Sequence, residues 1–266
     1  MSTETAPAAE SEFQRSSAVP GLELRTSAAR GSCYRLHSHA TCSIGLIDQG
    51  STVLTGPPSE RVRLHAGDVV VIPAGQVHAC NPDASLWRYR MIHLGDGDGT
   101  GLPTDAILVL RDPGVRRAAS AWADAISADA VRPAIDARLG TLLERMRTAA
   151  PVARAGHGED HELLELLAPV LARLRDDDEN PSLDELGTMV GLSHFQLIRR
   201  IRRATGLTPL AWRQNARISR AREMLREGEG IAETAHAVGF TDQSHLHRVF
   251  RAHVAASPGA YRAHGA

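Results

Sequence analysis

Between about residues 22 and 110, apolar residues come in short runs separated by Gly, Pro and polar turns. Residues 43–47, 53–54, 69–72, 89–94 and 106–110 are such runs, and apolar, often β-branched runs of this length predict the strands of an antiparallel sandwich or barrel. After Pro113 the period changes. Val115, Ala118, Ala119, Trp122 and Ile126, then Ile135, Leu139, Leu142, Leu143 and Met146, recur at helical steps, so each set lies on one helix face. Those faces suit either packing on the barrel or contact with a second subunit. Residues 148–158, rich in Ala, Gly and Pro, read as a linker. Leu163, Leu166, Leu167, Val170, Leu171 and Leu174 then predict another helix, kinked where Pro169 removes a backbone donor.

From Ser182 the pattern is more specific. Ser182-x-x-Glu185 is a capping box, followed by Leu183, Leu186 and Val190 on one face and by Gly191, which suits the left-handed turn. Ser193-x-x-Gln196 opens a second helix to about Thr205 with Leu197 and Ile201 inward. Two short helices across a glycine turn make a helix-turn-helix. The layout returns 48 to 49 residues later, with Ile231, Val238, Gly239, Leu246, Phe250, Pro258 and Tyr261-Arg262 matching Leu183, Val190, Gly191, Leu197, Ile201, Pro209 and Trp212-Arg213. Between the copies, Thr208-Pro209 starts a helix over 210–226, roughly 25 Å long. That length approaches the ~34 Å repeat of the major groove, so both second helices can meet one face of a duplex.

Charge supports this division. From Ser182 onward there are 12 Arg against 7 Asp and Glu, a balance of +5 in a chain whose net charge is -1. A basic C-terminal part beside an acidic remainder is the footprint of a module that meets phosphates. All 30 basic residues are Arg, which a GC-rich genome explains without special chemistry. A hydrophobic fraction of 42% and a charged fraction of 23% fit an ordinary soluble globular chain and not a membrane protein. Cys33, Cys42 and Cys80 form no C-x-x-C pair, against both a disulfide framework and a thiolate zinc site, and point to a reducing cytoplasm. Residues 1–17 lack the apolar segment of a signal peptide and read as a disordered tail.

Residues 239–262, GFTDQSHLHRVFRAHVAASPGAYR, and 192–209, LSHFQLIRRIRRATGLTP, resemble the signature segment and the first recognition helix of the AraC/XylS family of transcriptional regulators. With Leu197 and Ile201 inward, Phe195, Ile198, Arg199 and Arg202 face outward on the first recognition helix, and Gln243, Ser244, His247 and Arg248 on the second. The resemblance implies that these positions meet DNA. Arg199 and Arg248 suit bidentate contact with guanine and Gln243 with adenine, while Phe195 and Ile198 suit thymine methyls or shape. Either Arg also suits a carboxylate or phosphate partner, and Ser193 reads as a cap.

Gly31-x5-His37-x-His39, followed by Gly67-x5-Pro73-x-Gly75-x2-His78, resembles the two motifs of the cupin barrels. In metal-binding cupins two histidines, a Glu and a third histidine converge on an ion; here the Glu position is read at Ile44, which cannot ligate. Three readings stand for His37, His39 and His78: a divalent metal site, donors to an organic effector, or residual barrel histidines. Arg35, expected on the same strand face as His37 and His39, and Trp87, Tyr89 and Arg90 on a later strand, suit a small anionic or aromatic effector. Cys42 and Cys80 read as small buried residues.

The expected architecture has two domains. A tail (1–17) precedes an all-β cupin-like barrel (18–112), flanking helices with a dimerisation role (113–148) and a linker (149–160). An all-α DNA-binding domain (161–266) follows, with helix-turn-helix units at about 182–205 and 230–256. The expected function is transcription regulation without catalysis, through double-stranded promoter or operator DNA, in response to a small-molecule or metal effector, with no obligatory cofactor. RNA polymerase, for an activator, and a second copy of the chain are further implied partners; a membrane is not. The alternative is a three-histidine metal-dependent cupin enzyme fused to a DNA-binding module.

Overall fold

The computed structural model describes residues 10–30, 34–56, 60–82, 86–95, 101–102, 105–156, 160–177 and 180–263. Cys33 and Gly31 lie outside them. Two sheets form the N-terminal half. The larger has the order β1 (Glu10–Arg15), β2 (Glu23–Arg30), β8 (Leu86–His93), β3 (Ser43–Gln49), β6 (Val69–Ile72), β9 (Ile107–Leu110) and β10 (Ala153–Ala155). The smaller has the order β5 (Glu60–His65), β4 (Ser51–Gly56) and β7 (Ala79–Pro82), and every strand pair is antiparallel. Alternation sorts the residues: Ile44, Leu46, Val69 and Val71 face a core shared with helices, while Ile47, Val70, Ile72, Trp87 and Tyr89 face the barrel interior.

Helix α1 (Pro113–Ser127) starts where the Asp112 carboxylate accepts from Val115 N–H and Pro113 sits in the first turn. Its Val115, Ala119, Trp122 and Ile126 enter the first of those cores, so the apolar face seen in the sequence lies on the barrel. Helix α2 (Arg132–Thr148) packs on α1 through Ile135 and Leu142, with Leu139, Leu143 and Met146 half-buried.

Two expectations about the connecting segments need correction. The tail, wherever it is described, is not disordered: residues 10–15 pair with β2, and Phe13 leaves the barrel to enter the core of the second helix-turn-helix unit. The linker over 149–160 contains β10, which pairs with β9 and closes the end of the sheet. Both were invisible to periodicity because ESEFQR has one apolar anchor and ARA is three residues long.

Helix α3 (His161–Asp176) runs through Pro169 and shares a core with α4 (Leu183–Val190) and α5 (His194–Thr205), centred on Leu167, Val170, Leu186, Leu197 and Ile201. Helices α6 (Pro209–Arg226), α7 (Ile231–Ala237), α8 (Gln243–Val254) and α9 (Pro258–Ala263) build a second core on Ile218, Leu225, Val238, Leu246 and Phe250. Both capping boxes form, and Gly191 and Gly239 take φ of 66° and 72°, the left-handed turn that the duplicated pattern requires. No described helix is long and apolar enough to cross a membrane.

Candidate DNA interface and effector cavity

Two recognition helices, α5 and α8, are held at the ends of the 18-residue α6, which is about 27 Å long. On α8 the four expected contact residues, Gln243, Ser244, His247 and Arg248, are all exposed, opposite the buried Leu246, Val249 and Phe250. On α5, Arg199 and Arg202 are exposed, and Phe195 is 87% exposed, which removes any packing role for that ring. Among the described residues no ion pair holds Arg199, Arg202 or Arg248. Ile198 differs: it is half-buried in an apolar groove beside Leu183, Leu186 and Pro209, so only part of it is presented outward.

The barrel interior holds the second site. His37 and His78 form an isolated β-bridge, with reciprocal backbone bonds of 3.0 and 2.8 Å, and this brings the two motifs together. One ring nitrogen each from His37, His39 and His78 lies within 4.8 Å of the others. Three imidazoles therefore converge as the motif spacing implied. A fourth was missed: His93 on β8 packs edge-on against His39, ring centres 4.7 Å apart, and Ser43 Oγ bonds both His39 Nδ1 (2.9 Å) and His93 Nδ1 (2.8 Å). Trp87, Tyr89, Met91 and His93 alternate along β8 and all line the cavity, so its period of two carried the missing signal.

Several sequence assignments change. Ile44 points away from the histidines into the core under α1, and the strand position aimed at them is its neighbour Ser43. Alternation dictates this. Arg35 is on no strand and is exposed; its guanidinium reaches Gln214 at 3.5 Å and its N–H donates to Ala252 O at 3.2 Å, so it lies at the domain junction and does not line the cavity. Arg90, at an even position on β8, faces outward and bonds Asp48, Asp124 and Ser120. Trp87 does line the cavity, stacked on Tyr89 with centres 4.2 Å apart. Cys80 lines it too, whereas Cys42 belongs to the core under α1, and burial pushes their thiols up to about 12 and about 11.

Burial governs the site's electrostatics. Desolvation, with neighbouring imidazoles and Arg222 adding to it, holds His37 and His39 well below the usual histidine value. Burial brings His78 down to about 4 despite its bond to Gln76 O, and burial with Arg222 brings His93 to about 3. All four rings are neutral near pH 7. Arg25, itself buried, donates to Ser27 (2.8 Å), Ser11 (3.0 Å) and Tyr34 (3.4 Å) and lies over the rings of Phe13 and Tyr89.

The far wall of this cavity comes from the other half of the chain. Asn215, Ile218, Ser219 and Arg222 of α6, with His253 and Val254 of α8, line it. Asn215 Oδ1 accepts from Ser38 N–H and its Nδ2 donates to Ser38 Oγ, both at 3.1 Å. Beside it, the buried Glu23 carboxylate accepts from Arg222 (3.1 Å), Arg15 (3.2 Å) and the Tyr261 hydroxyl (2.9 Å). Burial alone would push Glu23 up, but the charges of Arg222 and Arg15 and the Tyr261 bond hold it at about 2. The sequence offered no sign of this junction, because it joins residues roughly 200 positions apart.

Comparison with known proteins places these features. The family model for the AraC-like ligand binding domain matches residues 19–171, and that for a helix-turn-helix domain matches 186–264. The HTH-type transcriptional regulator YbfI of Bacillus subtilis is 34% identical over 68 residues, 26% of this chain and 25% of that protein. The arabinose operon regulatory protein of Escherichia coli is 36% identical over 87 residues, 32% of this chain and 30% of that protein. The chain thus matches between a quarter and a third of the length of these relatives. Among solved structures, ToxT of Vibrio cholerae with a bound unsaturated fatty acid has the same two-part fold, with a TM-score of 0.56 at 12% identity over 91% of this chain and 95% of that one. An AraC-like ligand binding domain over 19–171, closed by the helices of a doubled helix-turn-helix, places the chain in the AraC family of transcriptional regulators.

Proposed function

We propose that the chain is a sequence-specific DNA-binding transcription factor of the cytoplasm, controlled by a small-molecule or metal effector in the barrel cavity. One observation carries this reading: α6, which joins the two helix-turn-helix units, is also a wall of that cavity. An occupant that prefers one position of α6 changes the relative placement of α5 and α8, and differential affinity of that kind is what coupling between sites requires. Arg199 and Arg248 read guanine edges, Gln243 reads adenine, and Phe195 with the outer part of Ile198 fits thymine methyls. Ser244, His247 and Arg202 complete the contact surface. A second copy pairing through α2 and, for an activator, RNA polymerase are the protein partners. The unsaturated fatty acid bound by ToxT supports a small-molecule ligand for a protein of this fold.

Footprinting across the genome, followed by gel shifts on the recovered sites, tests the reading. Protected sites sharing a bipartite motif with half-sites about one helical turn apart support it. Equal affinity for random duplex at the same salt concentration overturns it. The three-imidazole cluster favours one rival, a metal-dependent enzyme in the barrel. Against that reading, Ser43 and Ile44 stand where a catalytic carboxylate ligand would be.

A further inference from the structure

We propose that the occupant of the cavity is an aromatic carboxylic acid in its anionic form, with its carboxylate on the open Nη1 of Arg25 and its ring against Trp87 and Tyr89. This rests on the reading above, that an occupant of the cavity governs DNA binding, and names that occupant's class.

Arg25 is a buried cation without an anion. It is 7% exposed and lines the cavity, yet no carboxylate among the described residues pairs with it. Glu23, two residues earlier on the same face of β2, is taken by Arg222 and Arg15. No Asp or Glu stands among the residues that line the cavity. Nor does a nearby weak acid supply the charge: burial pushes the Tyr34 hydroxyl well above the usual phenol value and the Cys80 thiol up to about 12. The rings of Phe13 and Tyr89, 5.5 and 5.4 Å from the guanidinium, and the hydroxyls of Ser11, Ser27 and Tyr34 offset part of the desolvation. They carry no charge, and a desolvated cation calls for an anion.

Hydrogen bonds show which part of the guanidinium is open. Nε donates to Ser27 Oγ, and Nη2 donates to Ser11 Oγ and to the Tyr34 hydroxyl. The two hydrogens of Nη1 meet no acceptor among the described residues, and a carboxylate in the cavity supplies one with the charge that the hydroxyls lack. The walls around it ask for more than an inorganic anion. Trp87 and Tyr89, stacked with centres 4.2 Å apart, and Met91 line the barrel side, while Ile218 and Val254 line the helical side. Apolar walls with a single charged group fix a ligand's orientation through that group and its affinity through its body, and ring against ring adds to the area buried. Ile218 belongs to α6 and Val254 to α8, so the same molecule touches the barrel and both helices of the DNA-binding half.

The test follows thermal unfolding and tryptophan emission of the full-length protein with benzoate, phenylacetate and 2-naphthoate, each beside its neutral amide, and with octanoate and inorganic phosphate. At least one aromatic acid should raise the melting temperature with concentration and quench the emission. Its affinity should exceed that of its amide roughly tenfold or more. Arg25→Met separates an anchor from a structural part. Ser11 and Ser27 bond each other at 2.7 Å, and Tyr34 and Tyr89 at 3.0 Å, so these hydroxyls keep partners when the guanidinium goes. Without ligand this variant should melt no lower than the native protein, and its response to the acid should vanish, while the exposed control Arg88→Met responds as the native protein does. A response kept in Arg25→Met overturns the anchor. If Arg25→Met melts lower, Arg25→Lys decides: a preference for acid over amide kept there supports the anchor, and its loss overturns it. Equal effects of acid and amide, a phosphate effect as large as any acid's, or no effect of any aromatic acid overturns the inference, and octanoate binding above all three overturns the aromatic body. If no acid binds while gel shifts remain sequence-specific, the inference falls and the regulator reading stands. Binding that leaves DNA affinity unchanged supports the site and sinks control by the cavity.

Discussion

At the scale of single residues, the outward face of each recognition helix was legible because the inward positions are fixed by a spacing of four, and Arg248 follows from Leu246 and Phe250 being buried. Arg248→Ala should cost about 1–3 kcal/mol of specific binding and relax the preference at one base; gel shifts on the cognate site and on single-base variants measure it. Ile198 was only partly legible, since the apolar groove beside it is built by Pro209 and Leu183, which no helix-wheel argument brings in. Ser43 against Ile44 shows the sensitivity of strands: a shift of one residue exchanges the two faces. Two described residues other than glycine take positive φ, Asp129 at 47° and Ala255, and alanine is the less suited to it. Ala255 closes α8 at φ 52°, where the first unit has Gly206 at φ 76° after α5. Ala255→Gly should therefore raise stability by up to about 1 kcal/mol, read as a higher urea midpoint with an unchanged slope.

Among the elements, those with strong periodicity and caps were readable, and those without were not. Helices α4, α5 and α6 begin at Ser182, Ser193 and Thr208, each of which accepts a backbone bond at the helix start. Ser193→Ala removes the hydroxyl that accepts from Gln196 N–H and donates to Gln196 Oε1, and keeps only the bond from its own backbone N–H to Gln196 Oε1, at a cost of about 0.5–2 kcal/mol. Thermal unfolding should show the loss, and DNA affinity should fall with it because Phe195 and Arg199 lie just beyond the cap. Strand β2 failed to announce itself for another reason. Its buried residues include Glu23, Arg25 and Ser27, so the face that a hydropathy pattern marks as solvent is in fact turned inward, toward the cavity and α6.

For the molecule as a whole, Glu23 is the buried charged tie among several between the halves. Replacing it by Gln leaves Arg222 and Arg15 around a neutral amide, and breaking a buried pair of this kind costs about 3–5 kcal/mol. Glu23→Gln should lower the melting temperature and loosen α6 from the barrel, detected as new proteolytic cleavage between the halves. The acid behaviour has a definite sign. Glu23 ordinarily titrates at 4.5 and is held at about 2 in the folded chain, so its contribution is fully present above 4.5 and is lost as pH falls toward 2. Unfolding free energy measured across that window should fall more steeply for the native sequence than for Glu23→Gln.

That α6 and the end of α8 form part of the cavity wall bears on how such regulators are re-engineered. A chimera that grafts another relative's C-terminal half onto this barrel, to redirect it to a different promoter, also replaces Asn215, Ile218, Ser219, Arg222 and His253. The graft rebuilds the chamber along with the reading head. On the proposed function, promoter choice and effector choice are not independent cassettes in this chain, and a hybrid that preserves the sensing must carry those side chains and Val254 across the join.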